Sequence, residues 1–165
     1  MNHLEITERT AKWLKKHKEN VIIPNCPIVV FETKTATVSG EIPDVIGWCS
    51  WASVLIEVKI SRSDFLRDKK KIFRVNERLG VGNFRYYICS EHLIKIDDLP
   101  ENWGLLYILK NGEINIQLPA KNQFANTDSE RTMLLSIISR IKPHPNETSE
   151  RKDYGSNLFT VKFTI

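Results

Sequence analysis

Asp44, Glu57 and Lys59 are the residues of this chain whose types and spacing suit a chemical step, and all three fall within residues 40–71. Glu57 and Lys59 interrupt SVLIEVKI, residues 53–60, an otherwise apolar run that reads as a central strand covered on both faces. Charges inside such a strand are costly unless partnered, so the pair is expected to have a purpose there. A surface ion pair on an edge strand would not need the apolar residues that flank it. Two positions apart on a strand, Glu57 and Lys59 project from one face, and Asp44 comes from the neighbouring strand after Pro43. Two carboxylates supply hard oxygen ligands for Mg2+ or Mn2+, which bridges to a phosphate oxygen and lowers the pKa of a bound water. Lys59 then orients or deprotonates that water, or offsets charge building on the phosphorus. The chemistry expected of such a trio is metal-dependent phosphodiester hydrolysis, with no histidine or cysteine required.

These groups need elements to position them. Residues 4–16 form an amphipathic pattern with Leu4, Ala11, Trp13 and Leu14 broadly on one side, and Glu5 and Glu8 in the first turns. Both glutamates favour the helix dipole there. Glu8 lies closer to the apolar stripe at about 100° per residue, and is the better placed of the two to reach the site as a further metal ligand. Residues 28–35 read as a strand, and a second runs from Glu41 through Val45 and Ile46 to a turn at 48–51. After the central strand a helix is expected, capped by Ser61 or Ser63, with Asp64 in its first turn and Phe65, Ile72, Phe73 and Leu79 on one side. Arg62, Lys69, Lys70, Lys71, Arg74 and Arg78 make the rest of that helix basic, which suits a polyanion, although its outer lysines read as a solvated face.

Residues 84–89, 105–109 and 114–118 are three further strand patterns, the last two joined through the hairpin signal Asn111-Gly112. Trp103 is expected on the core. Thr127-x-x-Glu130 is a capping box for a final helix, 128–141, with Met133, Leu134, Ile137, Ile138 and Ile141 as its apolar stripe. Tyr86, Tyr87, Trp48 and Trp51 are aromatic enough to stack on bases, but core packing is the expected role of each. The expected class is α/β, with a central mixed β-sheet flanked by helices.

A chain of 165 residues with 41% hydrophobic and 27% charged content is one ordinary globular domain. The formal charge of +4 is compatible with nucleic acid without requiring it. Cys26, Cys49 and Cys89 form no CxxC pair, so neither a disulfide framework nor a zinc knuckle is expected, and free thiols point to a reducing cytoplasm. No window approaches the length of apolar sequence that a membrane span needs. The folded domain is expected over residues 1–143. Residues 144–165 read as a polar linker and a β-like tail, in which Phe159, Val161, Phe163 and Ile165 alternate as in an added edge strand. Such a tail offers a surface for a partner protein or a second copy of the chain.

Pro43-Asp44, then twelve residues, then Glu57-Val58-Lys59 resembles the signature of the PD-(D/E)xK nuclease superfamily. The segments EVKISRSDFLRDKK, FRYYIC and LPENWGLLY are similar to its MmcB-like DNA-repair branch, and the resemblance spans residues 4–118. It implies a restriction-endonuclease-like core and a DNA substrate, in repair or in a mobile-element or phage setting. It implies Asp44 and Glu57 as ligands of Mg2+ or Mn2+, the Val58 carbonyl as a further ligand, and Lys59 as the catalytic lysine. Ser61, Arg62, Asp64 and Lys69 match the pattern of that branch, which puts Arg62 and Lys69, with Ser61 and Lys70 beside them, at the nucleic acid. The alternative is a nucleic-acid-binding or adaptor protein that keeps the fold without turnover.

Overall fold

The computed structural model describes residues 1–16, 23–32 and 37–140. The expected C-terminal tail, Ile141 of the final helix and the end of the first strand lie outside the described residues.

Strand β3 (Ser53–Val58) is buried along its whole length, as an apolar strand with neighbours on both edges and layers on both faces must be. It is third in a six-stranded sheet of order β1-β2-β3-β4-β5-β6, with β1 (Ile28–Phe31), β2 (Val45–Trp48), β4 (Phe84–Ser90), β5 (Gly104–Ile108) and β6 (Ile114–Leu118). The first three strands pair antiparallel, β3, β4 and β5 pair parallel, and β6 returns antiparallel to β5. That return passes through Gly112, whose φ of 86° is open to a residue without a Cβ. The architecture is α/β, a mixed sheet flanked by helices.

Helix α1 (His3–Lys16) covers one face, burying Ile6, Thr7, Thr10, Ala11 and Leu14. These positions follow a three-and-four spacing, but two of them are threonines, so an apolar-only pattern misses the phase. Each hydroxyl is satisfied within the helix, Thr7 Oγ1 donating to the His3 carbonyl (2.9 Å) and Thr10 Oγ1 to that of Ile6 (2.7 Å). Leu4, expected on the buried side, is exposed. Below α1 lie Val45, Val54, Ile56, Val58 and Ile88. The other face packs Leu55, Tyr87, Cys89 and Leu105 against Phe65, Trp103, and Met133 and Ile137 of α4 (Thr127–Ile138).

The single helix expected after β3 is three pieces: α2 (Arg62–Asp68), α3 (Ile72–Val75) and a 3-10 turn at Glu77–Leu79. Geometry supplies the reason. Asp68 and Arg74 both point into the protein and bond each other, Arg74 Nε donating to Asp68 Oδ2 at 2.9 Å. In one continuous helix six residues would leave them about 120° apart around the axis. The break between them, where Lys71 adopts φ −64° and ψ 143°, brings both inward and leaves Ile72 60% exposed against the expected stripe. Ser61 caps α2 as the sequence suggests, its side chain accepting from Asp64 N.

Glu130 departs from its expected capping role. Asn126 is the cap of α4, accepting from Ser129 N. The Glu130 carboxylate is buried and accepts from Trp48 Nε1 (3.1 Å), Ser53 Oγ (2.7 Å) and Gly82 N (2.8 Å), tying α4 to β2, β3 and the loop before β4.

Candidate active site

Strand register assembles the acids. Val45 pairs with Phe31 of β1 and with Ile56 of β3. One step further along the same ladders, Glu32, Asp44 and Glu57 follow one another across three adjacent strand ends, and Glu32 N still donates to the Asp44 carbonyl at 3.1 Å. Tyr87 stands opposite Glu57 on β4. The Asp44 carboxylate turns toward β3 and accepts from Val58 N at 2.8 Å, which fixes it beside the strand that carries Glu57 and Lys59.

Glu57 and Lys59 are 2% and 4% exposed and meet directly, Lys59 Nζ donating to Glu57 Oε2 at 3.1 Å. Lys59 Nζ also lies 3.6 Å from Asp68 Oδ1. On the far side of Glu57 is Arg74. Its Nη2 lies 2.9 Å from Glu57 Oε1, in charge contact but without the alignment of a hydrogen bond. Arg74 Nη1 pairs with Glu41, Nε with Asp68, and the guanidinium lies over the Trp103 ring, 5.0 Å from its centroid. Tyr87 Oη donates to Asp68 Oδ2 at 2.9 Å. Lys71 Nζ, half exposed, reaches Asp68 Oδ1 at 2.7 Å.

Burial opposes the charge on Lys59, but Glu57, Asp68 and Asp44 outweigh it and hold its pKa above the ordinary lysine value. Lys59 is therefore an ammonium at neutral pH. Burial alone would raise Asp68; Arg74, Lys59 and Lys71 outweigh it and hold the carboxyl well below the usual range. Asp44 goes the other way. Burial first, then the neighbouring charge of Glu57, pushes it up to about 6 against the pull of Lys59, the Val58 amide and His3.

From α1, His3 reaches this end of the sheet. Its Nε2 lies 3.5 Å from Asp44 Oδ2 and its Nδ1 3.3 Å from Glu32 Oε1. Glu8 is half-buried and makes no hydrogen bond or ion pair among the described residues. Glu5 exchanges hydrogen bonds with Asn2 at the start of the helix. The group that α1 brings to Asp44 is thus a histidine. As the first residue of the helix it gives no periodic signal from which to read it.

The donor set fits a divalent cation at Asp44 and Glu57. Four carboxylates (Asp44, Glu57, Asp68 and Glu41) face three cations (Lys59, Arg74 and Lys71), so negative charge is left over at this end of the sheet. The buried Glu57 Oε1 has no aligned hydrogen bond.

The basic residues expected at nucleic acid are arranged around Asp98. Arg62 forks onto its carboxylate, with Nη2 2.6 Å from Oδ1, and Lys69 Nζ donates to its carbonyl at 2.6 Å. Ser61 is engaged as the α2 cap, and Lys70 is exposed, its side chain with no partner among the described residues. Trp48, Tyr86 and Tyr87 are core, whereas Trp51 is 58% exposed at the β2–β3 turn, the opposite end of β3 from the acids. A cavity of about 420 Å³ lies beyond Arg74, lined also by Arg78, Arg85, Trp103 and Gln123.

No family model matches the chain, and no curated protein matches it. At the level of fold it has a solved counterpart. The "SPO1766 protein of unknown function from Silicibacter pomeroyi" is similar at a TM-score of 0.59 and 20% identity, over 84% of this chain and 86% of that one. The likeness spans most of both chains and concerns the fold. No described helix is long and apolar enough to cross a membrane.

Proposed function

We propose that the protein is a metal-dependent nuclease that hydrolyses DNA phosphodiester bonds, built on a restriction-endonuclease-like core of the PD-(D/E)xK kind and acting in the cytoplasm, in repair or a mobile-element setting. One observation carries this reading: the Asp44 carboxylate is fixed on Val58 N at 2.8 Å, between Glu57 and Lys59, whose own contact is 3.1 Å. Asp44 and Glu57 would hold Mg2+ or Mn2+, which would supply an activated water and charge neutralisation at phosphate. Lys59, seated on Glu57 at 3.1 Å, would orient the attacking water or offset the charge that develops on the phosphoryl oxygens. Arg74 and Asp68 fix the two strand residues from behind. Lys70, exposed beside Lys69, is the residue of the basic turn left to meet a phosphate.

Incubation with single-stranded, nicked and branched DNA in Mg2+ or Mn2+ tests the proposal. Cleavage that is lost in Lys59→Ala supports it; absence of cleavage, or cleavage indifferent to Lys59→Ala, refutes it. A second reading, a DNA-binding module without turnover, is favoured by the contacts Glu57 already makes with Lys59 and Arg74. Salt-dependent DNA binding with no metal binding by calorimetry would decide for it.

A further inference from the structure

We propose that the cavity beyond Arg74 binds a small phosphate monoester of nucleotide size, with Arg85 and Arg78 holding its phosphate. The inference does not depend on the nuclease reading, since it makes no use of Asp44, Glu57 or Lys59.

Arg85 stands two residues before Tyr87 on β4, and its side chain enters the same layer between sheet and α4. It is 1% exposed. Nε donates to the Gly82 carbonyl at 2.9 Å, and Nη2 is shared among the carbonyls of Glu77 (3.0 Å), Gly80 (3.0 Å) and Phe124 (2.6 Å). These bonds tie the segment before β4 to the one before α4, which is a structural role. They supply dipoles and no counter-charge. Arg74 is the contrast: three carboxylates hold its pKa high, whereas burial holds that of Arg85 below the ordinary arginine value. A buried cation without an anion is unfavourable, and an anion beside it relieves that cost.

The guanidinium has donors left for one. Of its five N–H groups, those on Nη1 have no acceptor among the described residues and are not sealed in, and Arg85 lines the cavity. Glycine at 80 leaves room for that nitrogen, since a Cβ there would stand 2.8 Å from it. Arg78 lines the same cavity, exposed and with no side-chain partner among the described residues. Glu77 and Glu101 line it too, but both are exposed, and charges in water count for a fraction of one that is buried. The buried cation therefore sets the sign of the site.

Size and lining give the ligand class. A volume of about 420 Å³ falls in the range of small-molecule sites and exceeds what a bare inorganic ion fills. Pro100 and Trp103 supply an apolar wall, and Gln123 an amide of the kind that pairs with the edge of a base. Guanidinium groups meet phosphate oxygens through charge-assisted bonds.

The metal-stripped full chain is titrated by calorimetry with dAMP, inorganic phosphate and adenosine, and arginine-labelled chain is followed by NMR at the Arg85 Nε–H. Expected is one dAMP per chain with a shift of that resonance, inorganic phosphate binding more weakly, and adenosine at least about tenfold weaker. Arg78→Ala should weaken dAMP about tenfold, with thermal melting to confirm that the variant folds. Arg85→Lys, which also loosens the two segments, is read only for the same loss of dAMP binding. No saturable dAMP binding at millimolar concentration, affinity unchanged in folded Arg78→Ala, or shifts that spare Arg85 would overturn the inference. Phosphate binding as tightly as dAMP would overturn the nucleotide assignment.

Discussion

Arg74 Nη2 stands 2.9 Å from Glu57 Oε1, deep in the protein, and the same guanidinium serves Glu41 and Asp68. One cation thus holds three buried carboxylates. Removing one partner of a buried ion pair leaves uncompensated charge, at a cost of about 3–5 kcal/mol. Arg74→Ala is expected to lower unfolding free energy by at least that much in urea denaturation. Arg74→Lys recovers only part of it, because an ammonium cannot fork to three acceptors in fixed directions.

Asp44 gives stability a pH dependence of definite sign. Its carboxyl is pushed up to about 6 by burial and by Glu57, above the value of roughly 4 in the unfolded chain. Between those values the folded protein binds the extra proton, so this residue's contribution falls as pH rises from about 4 to about 6, and the penalty is complete above that window. Asp68, held low, acts in the opposite direction, losing its contribution as pH falls below the unfolded value. Asp44→Asn isolates the first effect, since its amide oxygen still accepts from Val58 N. In metal-free buffer the stability of the variant relative to wild type should grow by about 2–3 kcal/mol from pH 4 to 7. Urea melts across that range check it, and a flat difference would contradict it.

Lys59 is an ammonium against Glu57 and Asp68. On the nuclease reading, single-turnover cleavage in Lys59→Ala should slow by about 10²–10³-fold, while Mn2+ binding is retained or strengthened. In the metal-free protein the Lys59 ammonium is expected to persist up to about pH 10. A descending limb near pH 8 that vanishes in Lys59→Arg would show instead that the lysine titrates.

Glu130 accepts from three donors on three segments. Glu130→Ala leaves the Trp48 indole, the Ser53 hydroxyl and the Gly82 amide without this acceptor, at about 1–3 kcal/mol for each buried group left unpaired. Glu130→Gln, which keeps an acceptor oxygen, should be milder. Thermal unfolding of the two variants side by side measures the difference.

The strands and the hairpin between β5 and β6 were legible because β propensity, the all-buried run of β3 and the Asn111-Gly112 turn act locally. Asp44, Glu57 and Lys59 were legible because charges stand out in apolar sequence. Arg74 was not, since it sits among exposed lysines and arginines and turns inward only through the break between α2 and α3. Asp68, in the same charged stretch, is hidden for the same reason. Thr7 and Thr10 hid the true buried face of α1, because hydroxyls bonded to the preceding turn pack like apolar groups. Trp51, expected in the core, is exposed because it falls in the two-strand turn beyond the last ladder pair, Trp48 with Ser53. Glu32 and His3 come together only through tertiary packing of α1 on β1 and β2, which no spacing in the chain announces.

Anomalous scattering from crystals soaked in Mn2+ addresses the metal centre most directly. The expected result is one peak within about 2.3 Å of an Asp44 carboxylate oxygen, at the sheet end shared with Glu57, with Lys59 just beyond it. No peak at saturating Mn2+, with Glu57 still seated on Lys59 and Arg74, would contradict the account.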